Sequence, residues 1–179
     1  RPRAGILLRG PLPGLRGRSR GGPWARGRQD TIFSDMGQPE CGREARPAAS
    51  LSLDLDNKWS YMKTHGDAGW ESFPSYLEPL VEIVLDRLSR HGLTITVFVV
   101  GQDAALARHH APLRALASAG HEIGNHSFHH EPWLHLYTPE QIARDVEQAE
   151  AAIHAATGRL TRGFRGPGFS YSADLLQIL

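Results

Sequence analysis

Hydrophobic and polar residues follow one another from residue 49 onward in patterns that predict strands and helices in turn. Ala49 to Leu55 alternates small or apolar residues with polar ones and leads into Asp56-Asn57, which predicts a first strand that ends at a turn. Apolar residues then recur at helical spacing from Tyr76 to Leu88, and His91-Gly92 ends this predicted helix. The continuous apolar run Leu93 to Val100 is typical of a strand covered on both faces of a parallel sheet. These segments predict a βαβ unit.

The same alternation continues to the end of the chain. We expect a helix over 104–119, a short third strand over 121–123, a fourth strand over 161–165 and the start of a helix over 173–179. Between the third and fourth strands, residues 138–158 begin with a threonine, a proline and, three residues after the threonine, a glutamine. This arrangement is typical of a capping box and predicts a long helix.

Strand and helix therefore alternate at intervals of about thirty to forty residues, which indicates an α/β architecture. An open doubly wound sheet usually carries a glycine-rich phosphate loop after its first strand, but Asp54 and Asp56 occupy that place here. A barrel is favoured. Because a complete (β/α)₈ barrel takes roughly 250 residues, we expect residues 49–179 to form a partial, distorted (β/α) barrel, truncated after about four βα units.

The first 48 residues differ from the rest in charge and composition. They contain 10 arginines and 4 acidic residues, a net charge of +6, whereas residues 49–179 contain 10 basic and 15 acidic residues, a net charge of −5. The leader has too few large apolar residues to offset the entropy cost of ordering. We expect residues 1–48 to be a disordered Arg/Gly/Pro-rich leader and residues 49–179, which hold all 10 histidines, to form the functional domain.

The leader indicates no membrane or nucleic-acid partner. Its longest apolar run, Ala4 to Leu8, is too short for a signal-peptide core or a membrane span, and a cytoplasmic location is the default expectation. Its arginines are similar to those of a transit peptide or a nucleic-acid-binding arm, but repeated Gly and Pro prevent the amphipathic helix that a transit peptide needs. Cys41 is the single cysteine, so the chain has no intramolecular disulfide.

Five polar side chains with catalytic potential lie at the ends of predicted strands. Asp54 and Asp56 close the first strand, His126 and His130 follow the third, and Arg165 closes the fourth. In α/β barrels the carboxyl ends of the strands meet at one face, where active sites are assembled. We therefore expect these residues to lie together although they are distant in sequence.

The two aspartates and the histidine cluster suit a divalent metal ion. Two carboxylates on one side of a strand end repel each other unless a cation lies beside them, although a solvated acidic strand end is the simpler interpretation of the pair alone. In the sequence HSFHH, His126 and His130 have a spacing that brings two imidazoles to one ion, and His126 with His129 is the competing pair. One carboxylate and two imidazoles would form a catalytic type of zinc site.

Other residues near these positions have structural or secondary roles in our interpretation. His121 opens a short strand and is expected to be hydrogen-bonded, whereas His109 and His110 are expected on a helix surface. Trp59, with Lys58 and Trp70, is expected in a loop over the site, where its ring either stacks on a sugar or anchors the loop.

The segment after Arg165 is a glycine-punctuated turn. Gly166-Pro167-Gly168 follows the fourth predicted strand directly, in a position suited to presenting backbone N–H groups to an anion. Alone, the segment is only a turn.

These residues together resemble the polysaccharide deacetylase family, the carbohydrate esterases with a NodB-homology domain. Ser52 to Asp56 (SLDLD) is similar to the first motif of that family, and His126 to His130 (HSFHH) matches its second motif, H-[ST]-x-x-H. Phe164 to Phe169 (FRGPGF) resembles the third, and Val99 to Asn125 is similar to the family between the motifs. The resemblance covers nearly all of residues 50–170.

The resemblance implies a function and a role for each matching residue. The function is removal of N-acetyl groups from an acetylated sugar or polysaccharide, which would be the partner molecule. Asp56, His126 and His130 would bind a divalent metal ion, commonly zinc. Asp54 would be the general base, oriented by Arg165. The backbone N–H of Gly168 would stabilise the oxyanion, and Trp59 and Pro167 would contact the substrate.

Two departures from the family pattern leave other functions open. The spaced Asp-Leu-Asp is similar to a subgroup with peptidoglycan-deacetylase-like and allantoinase-like members, so a cyclic-amide hydrolase is an alternative. The family places its general-acid histidine and acetyl pocket in a C-terminal half that has no counterpart before Leu179, so an inactive truncated remnant is the second alternative.

Overall fold

A computed structural model describes residues 49–179 of the chain. The predicted disorder of the leader, its boundary at residue 48 and the surroundings of Cys41 lie outside the described residues. The described part contains three strands, each followed by two α-helices. The strands are β1 (Ser52–Leu55), β2 (Thr96–Val99) and β3 (Glu122–Asn125). The helices are α1 (Lys58–His65), α2 (Leu77–Arg90), α3 (Gly101–Ala104), α4 (His110–Ser118), α5 (Pro139–Thr157) and α6 (Ala173–Ile178).

The three strands form one parallel sheet in the order β1-β2-β3. Asp54 pairs with Phe98, and Phe98 pairs with Gly124, so these three residues share one face of the sheet. Leu55 and Val99 lie on the opposite face, which is covered by helices. One face of the sheet is therefore apolar and packed, while the other carries the first aspartate of the predicted site.

The apolar face packs against α2, α4 and α5 in one core. Its members are fully or almost fully buried, and at about 25 cal/mol per Å² of apolar surface this burial is the main contribution to folding. The core includes Val81 and Leu88 of α2, Leu113 and Leu116 of α4, and Ala149 and Ile153 of α5, together with Leu55, Val97, Val99 and Ile123 of the sheet. A second, smaller cluster joins Leu134, Ile142 and Leu175.

Helix α5 begins where the sequence predicts. The side chain of Thr138 accepts a hydrogen bond from the backbone N–H of Gln141, whose own side chain accepts one from the N–H of Thr138. Pro139 occupies the first turn, and Gly158 ends the helix in the left-handed conformation with φ 70°. The predicted capping box is present, and it fixes the start of the helix that lies behind the histidine loop.

Two predicted elements differ in the structure. The segment 104–119 is not one helix: α3 ends at Ala104, Leu106 is extended (φ −87°, ψ 118°), and α4 begins at His110. The break buries His109 completely, and its Nδ1 donates to the carbonyl oxygen of Asp103 at 2.8 Å. The predicted surface position of His109 is therefore wrong, because a buried polar contact outweighs helix continuity here.

The predicted fourth strand is reduced to a single parallel bridge between Phe164 and Asn125. Backbone hydrogen bonds of 2.8 Å from Asn125 to Gly163 and of 3.0 Å from Arg165 to Asn125 hold this segment beside β3. The segment therefore lies next to β3 and parallel to it, where the fourth strand is predicted. This places Arg165 beside the carboxyl end of β3. No helix within residues 49–179 has both the length and the apolar character that a membrane crossing requires.

Candidate metal centre

Three of the predicted ligands meet at the carboxyl ends of β1 and β3. One oxygen of Asp56 and one ring nitrogen of each of His126 and His130 lie within 4.8 Å of one another. Asp56 Oδ1 is 3.4 Å from His126 Nε2 and 3.3 Å from His130 Nε2. The two imidazoles are almost completely buried, with exposed fractions of 2% and 7%.

This donor set fits a divalent metal ion. The buried Oδ1 of Asp56 has no hydrogen-bond partner within the described residues, which is costly for a carboxylate oxygen unless a cation neutralises it. Ligand atoms about 2.0–2.2 Å from a tetrahedral zinc ion lie roughly 3.3–3.5 Å apart, close to both Asp56–histidine distances. Two neutral nitrogens and one carboxylate leave an open coordination position, as catalytic zinc sites require.

The protonation state of His126 also suits a ligand. Its Nδ1 donates a hydrogen bond of 2.6 Å to the carbonyl oxygen of Arg165, so the proton lies on Nδ1 and the lone pair lies on Nε2, which faces Asp56. Burial lowers the pKa of His126, and the attraction of Asp56 does not fully reverse this effect. The imidazole is therefore neutral at neutral pH, the form that binds metals.

Two tyrosines hold Asp56 in place. The hydroxyl of Tyr61 donates to Asp56 Oδ2 at 2.8 Å, and the hydroxyl of Tyr76 donates to the backbone carbonyl of Asp56 at 2.7 Å. Burial raises the pKa of Asp56, but interactions with His130 and then His126 lower it by more, so the carboxylate stays charged. The hydrogen bond to Asp56 raises the pKa of Tyr61 to about 12. Neither tyrosine was expected at the site, because its spacing from Asp56 matches no ligand pattern.

Asp54, the other aspartate of the predicted site, forms an ion pair with Arg165 beside this cluster. Arg165 donates from one guanidinium nitrogen to Asp54 Oδ1 at 2.5 Å and from another to the hydroxyl of Ser52 at 2.7 Å. The guanidinium lies 4.1 Å from the ring centroid of Phe98. A Cβ at Gly124 would lie 2.5 Å from that ring, so only glycine leaves room for Phe98 under the arginine.

The third predicted motif forms a tight turn. A Cβ at Gly166 would lie 2.2 Å from the carbonyl oxygen of Ser170, and Gly168 has φ 60°, so both positions require glycine. Gly168 is exposed, whereas Pro167 is buried. Their roles toward an oxyanion and a substrate remain predictions.

The structure separates His129 from the ligand pair. Nδ1 of His129 donates to the carboxylate of Asp145 at 2.8 Å, and its side chain is 48% exposed. His126 and His130 are therefore the pair at Asp56, on an irregular loop and not on a helical turn. His121 is buried and accepts a hydrogen bond from the N–H of Ile95 at 3.3 Å, which agrees with its predicted structural role.

Trp59 does not lie at the site. It belongs to α1, where a loop was expected, and it is only 7% exposed. Its indole N–H donates to Asp103 at 3.0 Å, and its ring lies 5.9 Å from that of Trp70. A buried indole has no free face for a sugar, so the stacking role expected of Trp59 is wrong and the anchoring alternative describes it. Tyr61, 52% exposed, is an aromatic residue that does lie beside the metal ligands, with its ring centroid 6.1 Å from that of His130.

The chain is similar to known deacetylases over most of the described part. The family model described as polysaccharide deacetylase matches residues 66–179, a range that contains His126, His130 and Arg165 but begins after Asp54 and Asp56. The peptidoglycan-N-acetylmuramic acid deacetylase PdaA of Bacillus subtilis is 36% identical over 42% of this chain. A chitooligosaccharide deacetylase of Bradyrhizobium is 33% identical over 52% of it. These matches span 28% and 42% of the two relatives, so the chain corresponds to less than half of either protein.

A solved structure extends the similarity to the fold. A family 4 acetyl xylan esterase from Clostridium thermocellum, in complex with a cobalt ion, superposes with a TM-score of 0.55 at 25% identity. The match covers 73% of this chain and 53% of that one. The parallel sheet and its helices are therefore part of the distorted (β/α) barrel that such esterases share, as the sequence predicts.

Proposed function

Since the chain belongs to the polysaccharide deacetylase family, we propose that its site removes N-acetyl groups from an acetylated sugar with the help of a divalent metal ion, zinc first among the candidates. The observation that carries this proposal is the meeting of Asp56, His126 and His130 within 4.8 Å, beside the Asp54–Arg165 pair. A bound metal ion activates water and polarises a carbonyl group, and a neighbouring carboxylate adds a base for proton transfer, so the two together suit hydrolysis.

Asp56, His126 and His130 would hold the ion. When bound, a divalent ion polarises the acetyl carbonyl group and makes a water molecule more acidic. The hydrogen bond from Tyr61 occupies Asp56 Oδ2 and leaves Oδ1, the oxygen nearest both imidazoles, for the metal.

Asp54 is the proposed general base. It takes a proton from the attacking water as the oxygen adds to the acetamide carbon. As the carbon–nitrogen bond breaks, this proton passes from Asp54 to the nitrogen, so a free amine leaves together with acetic acid, which ionises to acetate. Arg165 donates to Oδ1 of Asp54 at 2.5 Å, which fixes the direction of the carboxylate. The backbone N–H of Gly168 is the proposed donor to the oxyanion that forms on the carbonyl oxygen.

The substrate class follows from the relatives. One acts on peptidoglycan N-acetylmuramic acid and another on chitooligosaccharides, by their names. Both substrates carry an acetamide on a pyranose ring, so we infer the same group for this chain. Tyr61, half-exposed and hydrogen-bonded to Asp56, is the aromatic side chain best suited to contact that ring.

The test is acetate release by the zinc-loaded chain from acetylated chitooligosaccharides and from peptidoglycan glycan strands. Asp54→Asn should lower the rate by roughly 10²–10⁴-fold, the usual contribution of a positioned general base, while zinc content stays the same. Asp67→Asn, at an exposed acid, is the matched control and should act like the wild type. Unchanged acetate release in Asp54→Asn would remove Asp54 from the reaction, and hydrolysis of allantoin but of no acetylated sugar would favour the cyclic-amide alternative.

A further inference from the structure

The loop that carries both histidine ligands has an unusual backbone. Ser127 has φ 61° and His130 has φ 54°, so two non-glycine residues within four positions lie in the left-handed region. Such a conformation is unfavourable for a residue with a side chain, and it persists only where the surroundings impose it. Some group outside the loop must therefore supply contacts that hold the two imidazoles in place.

Most backbone N–H groups of the loop find acceptors in nearby backbone or within the loop. The N–H of His126 donates to the carbonyl of Val99 at 3.0 Å, which continues the pairing of β3 with β2. The N–H of Ser127 donates to the side-chain oxygen of Asn125 at 2.9 Å, and the N–H of His130 donates to the hydroxyl of Ser127 at 3.1 Å. Two N–H groups remain, those of Phe128 and His129.

Both remaining groups donate to one carboxylate on α5. The N–H of Phe128 reaches Asp145 Oδ1 at 2.7 Å, and the N–H of His129 reaches Asp145 Oδ2 at 3.2 Å. Nδ1 of His129 adds a third hydrogen bond to Oδ2 at 2.8 Å. Asp145 is only 5% exposed, and no lysine or arginine of the described residues forms an ion pair with it. The loop donors therefore compensate its burial.

The chemistry of this contact requires a carboxylate. A charged carboxylate only accepts hydrogen bonds, so each of its oxygens can face a backbone N–H. An amide in the same place would turn its NH₂ group toward one of those donors and leave that backbone group without an acceptor. Aspartate at 145 thus fits this loop, and asparagine does not, although the two have nearly the same shape.

We propose that Asp145 is a positioning residue for the metal centre: by holding Phe128 and His129, it keeps His126 and His130 in the geometry that binds the ion before the ion arrives. This inference rests on the proposed function, since it concerns the same metal site. Asp145 itself contacts neither ligand side chain in the structure, so its effect reaches the ion through the loop backbone.

Zinc affinity of the purified chain, measured by competition with a chromophoric chelator, tests the proposal. Asp145→Asn should weaken zinc binding by roughly 10- to 100-fold, the usual effect of removing a partner that orients metal ligands. It should also change the visible spectrum of the Co²⁺-substituted chain, which reports ligand geometry independently of activity. Glu147→Gln, an exposed acid two residues along the same helix, is the control and should match the wild type in both measurements.

Equal zinc affinity and an identical cobalt spectrum in Asp145→Asn would overturn the positioning role. If the wild-type chain bound no zinc, the proposed metal site itself would fall, so the wild-type titration distinguishes the two failures. If Asp145→Asn does not fold, amide hydrogen exchange of the metal-free wild type tests the same proposal. The N–H groups of Phe128 and His129 should be protected without metal, and exchange as fast as in an unstructured peptide would overturn the proposal.

Discussion

The backbone carbonyl oxygen of Arg165 accepts a hydrogen bond from Nδ1 of His126 at 2.6 Å, although the two residues are 39 positions apart. The guanidinium of the same arginine holds Asp54. Arg165 therefore supports the metal ligand through its backbone and the proposed base through its side chain. A substitution at this position changes the second contact and leaves the first.

We expect Arg165→Lys to separate these two effects. Lysine cannot reproduce the planar fork that contacts Asp54 and Ser52, so the rate of acetate release at saturating substrate should fall roughly 10- to 100-fold. Zinc content should not change, because the backbone carbonyl that orients His126 remains. The measurements are steady-state kinetics and elemental analysis, with Arg162→Lys at an exposed position as control. Loss of zinc together with activity would contradict this division of roles.

Removal of one imidazole should abolish stable metal binding. His126→Ala leaves Asp56 and His130, and two protein ligands are too few for a zinc site that normally uses three or four. Elemental analysis after dialysis should find about one zinc ion per wild-type chain and almost none in the variant. His135→Ala removes an exposed histidine and should retain the metal. A fully loaded His126→Ala chain would rule out His126 as a ligand.

The phenol of Tyr61 should ionise at a higher pH than an ordinary tyrosine. Its hydrogen bond to Asp56, followed by burial, raises its pKa from 10.0 to about 12. Because the folded-state pKa is raised, the stabilisation is fully present below pH 10.0 and disappears as the pH rises through about 12. A pH titration of the metal-free chain, followed by tyrosinate absorbance, should show an ionisation phase near pH 12 that Tyr61→Phe lacks. Tyr171→Phe, at an exposed tyrosine, should keep this phase. Its persistence in Tyr61→Phe would assign it to another tyrosine.

Close packing of α3 against α5 makes Gly101 sensitive to any side chain. A Cβ there would lie 2.7 Å from Cα of Ala149 and 2.7 Å from the ring of Phe128. Gly101→Ala should therefore lower the free energy of unfolding by about 1–3 kcal/mol, the usual cost of overpacking. Gly163→Ala is a suitable control, since its Cβ would meet only Phe98 at 3.7 Å. The measurement is denaturant unfolding of both variants. Equal free energies of unfolding would contradict the prediction, because α3 and α5 would then accommodate the added Cβ without loss of stability.

The sequence predicts the order of strands and helices because each element has a local pattern. The capping residues of α5 and the apolar periodicity of α2 lie within one element, so no tertiary information is needed to identify them. The meeting of Asp54, Asp56, His126 and His130 could also be predicted, because parallel strands bring their carboxyl ends to one edge.

Other features depend on contacts between distant segments and have no local pattern. Asp145 lies on an ordinary amphipathic helix, and only the docking of the histidine loop identifies its role. His109 is buried because the helix breaks to reach Asp103, whereas helical spacing alone favours a continuous helix. Trp59 is expected over the site because it follows Asp56, but the helix that begins at Lys58 turns its ring toward Asp103.

The three ligand residues come from two segments about 70 residues apart in sequence, since Asp56 follows the first strand and His126 follows the third. An ion held by both segments would act as a reversible cross-link across the two strands and four α-helices between them. By the chain-entropy relation used for disulfides, closing a loop of this length in the unfolded chain corresponds to about 4 kcal/mol. Removing the ion with a chelator would then remove this cross-link as well as the proposed cofactor. The free energy of unfolding of this protein would therefore fall as the concentration of free metal falls.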